Sequence, residues 1–269
     1  MKAGQEIKEY SNLAFEILQL IPSYIRSKNI ISDLFKTSRS DRFETIIFRL
    51  TIIDSYYSTQ MNKRFFGLED LAEQINKTSG DDRALQVMCY EFLSNPTGEN
   101  GINKLFNGKY GKRKTGHDGG QAASLISKYL YFLNEYEFPI YDNLAKISYP
   151  LIKKKYPELN IQDLKKGFDY SYFNSIKRLN LVTEINSYNK LDNLLWLIGK
   201  LVEGSLSLIL NKERYLLLLK KVKIQKGTKS RDSDLITREY IQMNIDTMND
   251  IFSEKEIKFL KYTFALKAQ

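Results

Sequence analysis

The segment that most constrains this fold spans residues 116–150, which read GHDGGQAASLISKYLYFLNEYEFPIYDNLAKISYP. It contains the only histidine, His117, and a double glycine at 119–120, followed by an apolar and aromatic stretch with helical spacing. A glycine turn before a helix leaves backbone N–H groups free to bind phosphate. Asp142 comes directly after a turn that contains Pro139, at a predicted helix start. Its carboxylate can therefore cap that helix or face a cleft as a catalytic group.

Charge is the compositional feature that bears most on function. The 269-residue chain has a formal net charge of +9 and a pI of about 9.3. This excess favours an anionic partner, with nucleic acid first and a membrane surface second, unless the lysines are simply solvated. The 18 tyrosines and 15 phenylalanines suit base stacking, although most of them must form the core. The length allows one large domain or two smaller ones.

Several classes of protein are disfavoured by residues that are scarce. The single cysteine, Cys89, excludes an internal disulfide and a cysteine-based zinc site, and we expect no disulfide-linked partner, metal or cofactor. His117 lies in no nucleophile motif, and we interpret it as a loop residue. No stretch is apolar enough to span a bilayer, and the N-terminal sequence lacks a signal-peptide core. The expected location is the cytoplasm, without membrane contact.

Helical periodicity runs through almost the whole chain, without alternation of useful length for a β-strand. Asp41 is a predicted N-cap with Glu44 in the capping-box position, so Phe43–Tyr57 is predicted to be a buried central helix. Trp196 is predicted to lie in the core. The other predicted helices are 7–21, 68–75, 81–94, the helix that ends at Phe132, 142–156, 161–178, 190–222 with a break near Gly204 or Asn211, and 235–265, with a connector at 28–40 and a basic linker at 223–234. The fold class is all-α.

A glycine- and lysine-rich loop at 96–116 precedes the double glycine. Its cations include Lys112, Arg113 and Lys114, and such a flexible basic loop suits a phosphate backbone. For any single lysine a solvated surface position is the simpler interpretation, but the cluster as a whole favours DNA or RNA.

Three elements follow one another within residues 40–155. A buried helix ends in the polar tip Ser58–Asn62; the segment Gly119–Ser124 leads into a helix of small and apolar residues; and a loop with Pro139 ends in Asp142. This order resembles the helix-hairpin-helix DNA glycosylases, the superfamily of endonuclease III and 8-oxoguanine DNA glycosylase. The resemblance implies a glycosylase-like helical core with extra helices from both ends, formed by residues 1–222, on which the 223–269 segment packs.

The resemblance also implies roles for individual residues. Asp142 would be the catalytic carboxylate, and Gln60, with Asn62, would be the wedge that enters the duplex. Double-stranded DNA would further contact residues of the hairpin, the basic loop and the following helix, namely Gly119, Gly120, Gln121, Ser124, Lys112, Arg113, Lys114 and Lys128.

The chain departs from the family at the position of the Schiff-base lysine of bifunctional members. Gln121 or Ser124 falls there, and Lys128 lies one turn further on and would have to point differently. The hairpin also lacks the usual Leu-Pro-Gly-Val-Gly form, and there are no cysteines for an iron–sulfur cluster. The implied activity is therefore monofunctional: water attacks, and an abasic site remains in an intact strand.

Two other classes of function remain open at this stage. One is a non-catalytic DNA-binding protein, such as a regulator or a subunit of a defence system. The other is a helical protein-interaction module whose basic charge is incidental. The identity of an excised base, and the choice between repair and anti-phage defence, do not follow from the sequence.

Overall fold

The computed structural model describes residues 2–37, 40–205, 208–222 and 230–268. These residues form an all-α fold with isolated β-bridges but no β-strand. The thirteen α-helices of this part of the chain are α1 (Ala3–Gln19), α2 (Pro22–Lys36), α3 (Arg42–Tyr57), α4 (Gly67–Thr78), α5 (Asp82–Ser94), α6 (Gly101–Asn107), α7 (Ala123–Leu133), α8 (Asn143–Lys155), α9 (Ser171–Val182), α10 (Tyr188–Val202), α11 (Lys212–Val222), α12 (Ser230–Asn244) and α13 (Glu254–Lys267).

Short polar side chains start many of these helices. Asp41 accepts a hydrogen bond from the backbone N–H of Glu44 at 2.8 Å, as the predicted N-cap requires. Asp81 caps α5 in the same way, and Ser253 and Glu256 form a reciprocal capping box at the start of α13. The sequence signals for these helix starts are therefore local.

The packing of the helices brings the two ends of the chain together. α1 lies against α10 and α13, and α8 packs on the same two helices. α3 is central to the other part of the core, where it contacts α2, α4 and α7, and its inward face is fully buried. As expected, the N-terminal helix packs with the C-terminal half and the helix at 43–57 is buried.

α8 and α10 approach each other closely at a glycine. A Cβ atom on Gly199 would lie 2.8 Å from the backbone oxygen of Leu144, so only glycine allows this contact without a shift. The hydroxyl of Ser148 also donates to the backbone oxygen of Leu195 at 2.5 Å. The N-terminal turn of α8, which carries Asp142 as its cap, is thus fixed against α10.

Several predicted boundaries were wrong. Residues 28–36 belong to α2 and are not a connector, because the buried guanidinium of Arg49 donates to the backbone oxygens of Leu34, Phe35 and Thr37 and so caps this polar helix. The predicted loop 96–116 contains α6, which Asn100 caps.

Boundaries in the C-terminal half also differ from the predictions. The helix predicted at 161–178 begins only at Ser171. The break predicted near Gly204 or Asn211 is confirmed, since α10 ends at Val202 and α11 begins at Lys212, with Gly204 at φ +94°. Of the predicted linker 223–234, residues 223–229 lie outside the described residues, and residues 230–234 already form the start of α12. In the described chain, no helix combines the length and apolar character needed to cross a bilayer.

Candidate functional site

The tip that follows α3 has a defined shape. Ser58 and Gln60 both adopt left-handed backbone conformations, at φ +50° and +65°. The buried carboxylate of Asp54 accepts hydrogen bonds from the hydroxyl of Thr59 and, at 2.9 Å, from the backbone N–H of Met61. These bonds leave the side chain of Gln60 exposed to solvent. Asn62 lies in the following 3-10 turn, Met61–Lys63, and its side chain is outside the described part of the structure.

The segment around the double glycine folds back on itself as a hairpin. The N–H of Gly119 donates to the backbone oxygen of Gly111 at 2.6 Å, and that of Arg113 donates to His117 at 2.9 Å. A Cβ atom on Gly119 would lie 1.7 Å from the backbone oxygen of Tyr110, so this closure requires glycine. We call residues 110–121 the basic hairpin. Because the N–H of Gly119 is engaged within the hairpin, it is not available to a phosphate.

The charged residues of the basic hairpin differ in their surroundings. Lys112, Arg113, Lys114 and His117 are all exposed. The ammonium of Lys112 forms an ion pair with Asp118 at 2.6 Å, which neutralises it locally. The pKa of Arg64 is lowered, first because Arg64 is partly buried and second because the positive charge of Arg113 lies close to it. The exposed position of His117 agrees with its interpretation as a loop residue.

Arg64 joins the tip to the start of α7. Its guanidinium donates to the backbone oxygen of Gly120 at 2.6 Å and to that of Gln121 at 3.4 Å. α7 then begins at Ala123 without a side-chain cap. A cavity of about 360 Å³ lies here, lined by Thr59, Met61, Arg64, Gln121, Ala122, Ala123, Ser124, Leu125, Tyr141 and Phe168. The first-turn N–H groups of α7 and the Arg64 guanidinium make this cavity favourable for an anion.

Lys128, Ser124 and Asp142 meet at the junction of α7 and α8. The ammonium of Lys128 donates to the hydroxyl of Ser124 at 2.7 Å and to the Asp142 carboxylate at 2.9 Å. Ser124 and Lys128 are four residues apart on α7, so they share one face of the helix. The other oxygen of Asp142 accepts the N–H of Leu144 at 2.7 Å and caps α8. Both interpretations of Asp142 therefore involve the same carboxylate.

The loop before Asp142 is held by its neighbours. The N–H of Tyr141 donates to the hydroxyl of Ser127 at 2.9 Å, and the hydroxyl of Tyr172 donates to the backbone oxygen of Ile140 at 2.6 Å. Phe138 is fully buried among other aromatic rings. The position of Asp142 is fixed on both sides by these contacts.

Two opposed effects act on the charge of Asp142. Burial alone would raise the pKa of its carboxyl, but the Lys128 ammonium, with the N–H of Leu144, lowers the pKa below its ordinary value. The side chain of Lys128 is 3% exposed and that of Asp142 is 20% exposed. Asp142 is therefore a fixed anion that still has access to solvent.

A second cavity lies on the other side of the tip and contains Asp142. Its volume is about 370 Å³, and its lining residues are Ser23, Tyr24, Ser27, Tyr56, Tyr57, Ser58, Asp142, Leu144, Trp196, Lys200 and Leu208. We call it the aromatic cavity. The rings of Tyr24 and Trp196 contact each other with centroids 5.3 Å apart. Such a cavity, whose walls combine aromatic rings with hydroxyl groups and two charged side chains, has the size and chemistry of sites for planar small molecules. Trp196, predicted to lie in the core, is thus partly buried and lines a site.

Two titratable side chains near this cavity, the half-buried Asp192 and the buried Lys28, were not predicted from the sequence. Asp192 lies on α10 one turn before Trp196. Burial raises the pKa of Asp192 to about 7, against the opposing charge of Lys28 and with a contribution from Asp142. Burial likewise lowers the pKa of Lys28 to about 8, against the opposing charge of Asp192. The ammonium of Lys28 donates to Asn189 at 2.6 Å.

The two carboxylates, Asp142 and Asp192, thus have pKa values shifted in opposite directions, which is typical of sites that move protons. Lys28 escaped prediction because it falls in the polar segment that we interpreted as a connector. Asp192 escaped because its raised pKa results from partial burial in the folded protein, which no local pattern reveals. The only local signal was its position four residues before the single tryptophan.

The structure separates the predicted site residues into two groups. Asp142, Lys128 and Ser124 form one connected cluster inside the protein, and the basic residues 112–114 lie outside on the hairpin. The tip lies between the two cavities, because Ser58 lines one and Thr59 lines the other. Within the described residues, no group of three or more histidine, cysteine, aspartate or glutamate side chains is arranged to hold a metal ion.

Comparison with known proteins finds no match to this chain among family models, curated protein sequences or solved structures.

Proposed function

We propose that this protein is a monofunctional DNA glycosylase that excises a damaged or modified base. The observation that carries the proposal is the position of Asp142, a fixed anion at the edge of an aromatic cavity, beside an exposed polar tip. Breaking an N-glycosidic bond passes through an oxocarbenium-like state, which a nearby carboxylate stabilises. The same carboxylate can also direct a water molecule.

The other parts of the site fit the steps that must come before the chemistry. An enzyme that acts on a base in a duplex has to flip the nucleotide out of the stack. Gln60 is the exposed residue at the tip that can fill the resulting gap, and the aromatic cavity receives the base between rings such as Tyr57 and Trp196. The basic hairpin and the uncapped start of α7 supply contacts to the phosphates.

Lys128 is better suited to positioning than to covalent chemistry. Its ammonium donates to both Ser124 and Asp142, and its side chain is almost fully buried beside the ring of Tyr57. These two bonds direct its nitrogen toward Asp142 and Ser124 and so hold it away from the sugar carbon that a nucleophilic lysine would attack. The product is therefore an abasic site in an intact strand, without strand cleavage.

The test is incubation with duplexes that each carry one modified base, followed by alkali to cleave abasic sites. We expect strand cleavage after alkali for at least one substrate with the natural protein. We expect Asp142→Asn to bind the same duplex but to excise at a rate lower by about 10²–10³ or more, since a charge aimed at the transition state is removed. Both proteins are assayed below the melting temperature of the variant. Equal excision by Asp142→Asn would remove Asp142 from the mechanism.

The alternative is a non-catalytic DNA-binding protein, such as a regulator or a subunit of a defence system. One observation favours it: the cap of α8 and the ion pair with Lys128 together account for both oxygens of Asp142 without any reaction. Binding to duplex DNA without base release from any substrate would select this alternative. Repair and anti-phage defence would use the same chemistry, so this assay supports both equally.

A further inference from the structure

Two adjacent aromatic side chains next to the tip are exposed. Phe65 is 57% exposed and Phe66 is 67% exposed. Neither ring belongs to the core or packs against it, and neither contacts another aromatic ring within the described residues. Single exposed apolar residues are common on protein surfaces. Two adjacent exposed rings form a contiguous apolar patch, and such patches often mark a binding site.

The backbone that carries these rings is held in place. The N–H and the backbone oxygen of Phe65 form two hydrogen bonds with Lys112, at 3.0 and 2.9 Å, which fix it to the basic hairpin. Phe66 adopts φ +60°, a left-handed conformation that costs on the order of 1 kcal/mol or more for an aromatic residue. The carboxylate of Asp70, in the first turn of α4, accepts the N–H of Gly111 at 2.8 Å. The rings are therefore presented by a rigid support, although packing does not require them there.

Cations surround this pair. Lys63 and Arg64 precede it directly, and the hairpin bonded to Phe65 carries Arg113 and Lys114. In the two segments 63–66 and 109–118, six basic residues (Lys63, Arg64, Lys109, Lys112, Arg113 and Lys114) stand against the single acidic residue Asp118. Among these cations Arg64 and Arg113 are close enough to repel each other: burial first, and then the positive charge of Arg113, lowers the pKa of Arg64. A bound anion between them would relieve that repulsion.

We propose that Phe65 and Phe66 form a stacking site for unpaired bases of a nucleic-acid strand whose phosphates are bound by Arg64, Arg113 and Lys114. Every base has an aromatic face, so stacking on an exposed phenylalanine tolerates any sequence, while the cations hold the backbone. This inference rests on the nucleic-acid partner of the proposed function but not on base excision. It assigns single-stranded or locally opened strands, and not regular duplex, as the form that this surface binds most tightly.

The experiment compares two fluorescently labelled strands of 20 nucleotides that have the same number of phosphates. One has ordinary bases, and the other has abasic residues along most of its length. We expect the natural protein to bind the base-bearing strand about tenfold or more tightly than the abasic strand. Phe65→Ala/Phe66→Ala should lose this preference but should keep its affinity for the abasic strand. Tyr90→Ala is the matched control, because Tyr90 is an aromatic residue that is 63% exposed on α5.

Thermal melting followed by circular dichroism is the check that each variant is folded. Equal binding of both strands by the natural protein, or an unchanged preference in the double variant, overturns the proposal. A second experiment measures binding to vesicles of neutral and anionic phospholipid. Vesicle binding that depends on the two phenylalanines, without a preference for the base-bearing strand, assigns the surface to a membrane and also overturns the proposal. A strand preference with no base release from any duplex supports this inference while the glycosylase proposal fails. Base release without a preference for the base-bearing strand supports the glycosylase proposal while this inference fails.

Discussion

Asp142 and Lys128 form the ion pair on which the site depends. Asp142 is the only ion-pair partner of the Lys128 ammonium among the described residues, and its other contacts are with the neutral hydroxyl of Ser124 and the ring of Tyr57. A buried charge that loses its ion-pair partner is costly, because water does not replace the lost interaction. The capping bond to Leu144, by contrast, can be made by an amide as well as by a carboxylate.

Asp142→Asn should therefore lower the free energy of unfolding by about 1–3 kcal/mol, whether or not the proposed excision activity is found. The measurement is urea denaturation of the natural protein and the variant at neutral pH. Asp81→Asn is the control, since Asp81 is an exposed N-cap of α5 without a buried lysine, and we expect it to change stability by less than about 0.5 kcal/mol. Equal losses in the two variants would show that the ion pair contributes nothing to stability.

Asp192 gives the stability of the protein a characteristic pH dependence. Its pKa in the folded protein is about 7, whereas an aspartate in an unfolded chain titrates near 4. Between these values the folded state binds a proton that the unfolded state has released, so the free energy of unfolding falls as the pH rises. The fall is up to about 4 kcal/mol, because one pKa unit corresponds to about 1.4 kcal/mol.

In Asp192→Asn this fall between about pH 4 and 7 should disappear, which urea denaturation at several pH values measures. Comparing the two proteins cancels the contribution of other carboxylates such as Glu137, whose pKa is also raised, first of all by burial. Asp142 acts in the opposite sense: its lowered pKa gives stability that is lost as the pH falls below about 4. Parallel pH curves for the two proteins would mean that folding does not raise the pKa of Asp192.

At the scale of the elements, the basic hairpin and the tip form one surface. Two segments about fifty residues apart in sequence are joined here by hydrogen bonds. The backbones of Phe65 and Lys112 bond to each other, and the Arg64 side chain donates to the backbone oxygens of residues 120–121. The charge of this surface is uneven, because Lys112 is paired with Asp118 whereas Arg113 and Lys114 form no ion pair among the described residues. The three cations therefore contribute unequally to any binding of phosphates.

Arg113→Glu/Lys114→Glu should weaken duplex binding strongly and reduce the slope of log K against log salt by about 2, one contact for each side chain. Lys112→Glu alone should have a smaller effect on this slope. The measurement is fluorescence anisotropy with one duplex between about 50 and 200 mM salt. Lys212→Glu/Lys220→Glu, which reverses two exposed charges on α11, is the control for net charge. If both double variants bind alike, the basic hairpin is not the proposed DNA-binding surface.

At the scale of the whole molecule, the contact of α8 with α10 connects the site to both ends of the chain. α10 also packs against α1 and α13, so the helix that carries Asp192 and Trp196 is the centre of this half of the core. The close approach of Gly199 to Leu144 lies two residues after Asp142, in the first turn of α8. A change at this contact acts on the fold and on the site together.

Gly199→Ala should force α8 and α10 apart, because the added methyl would meet the backbone of Leu144. We expect a loss of about 1–3 kcal/mol, which lowers the melting temperature by about 2–4 °C for each kcal/mol in a chain of this size. Gly80→Ala is the control, since a Cβ there would meet nothing within 4 Å. A melting temperature unchanged by both substitutions would show that the helices separate without cost.

The sequence alone determined the helical class and many helix starts. Its periodicity excluded strands of useful length, and short polar side chains such as Asp41 and Asp142 marked helix starts that the structure has. These features depend on residues within one or two turns of each other, so they can be predicted from a short stretch of sequence. The sequence also singled out Asp142, Lys128 and Ser124 as candidate residues, although not their mutual contact.

Tertiary structure decided which polar residues are buried and which apolar residues are exposed. α2 is a helix despite its polar sequence because Arg49, on another helix, caps its C-terminal end. Lys128 reaches Asp142, fourteen residues away, only because the loop between α7 and α8 turns back. Asp192 acquires its raised pKa only when the packed helices remove it from water, which outweighs the opposite charge of Lys28. Burial and charge pairing across helices set these properties, because both depend on distances in space that residue order does not fix.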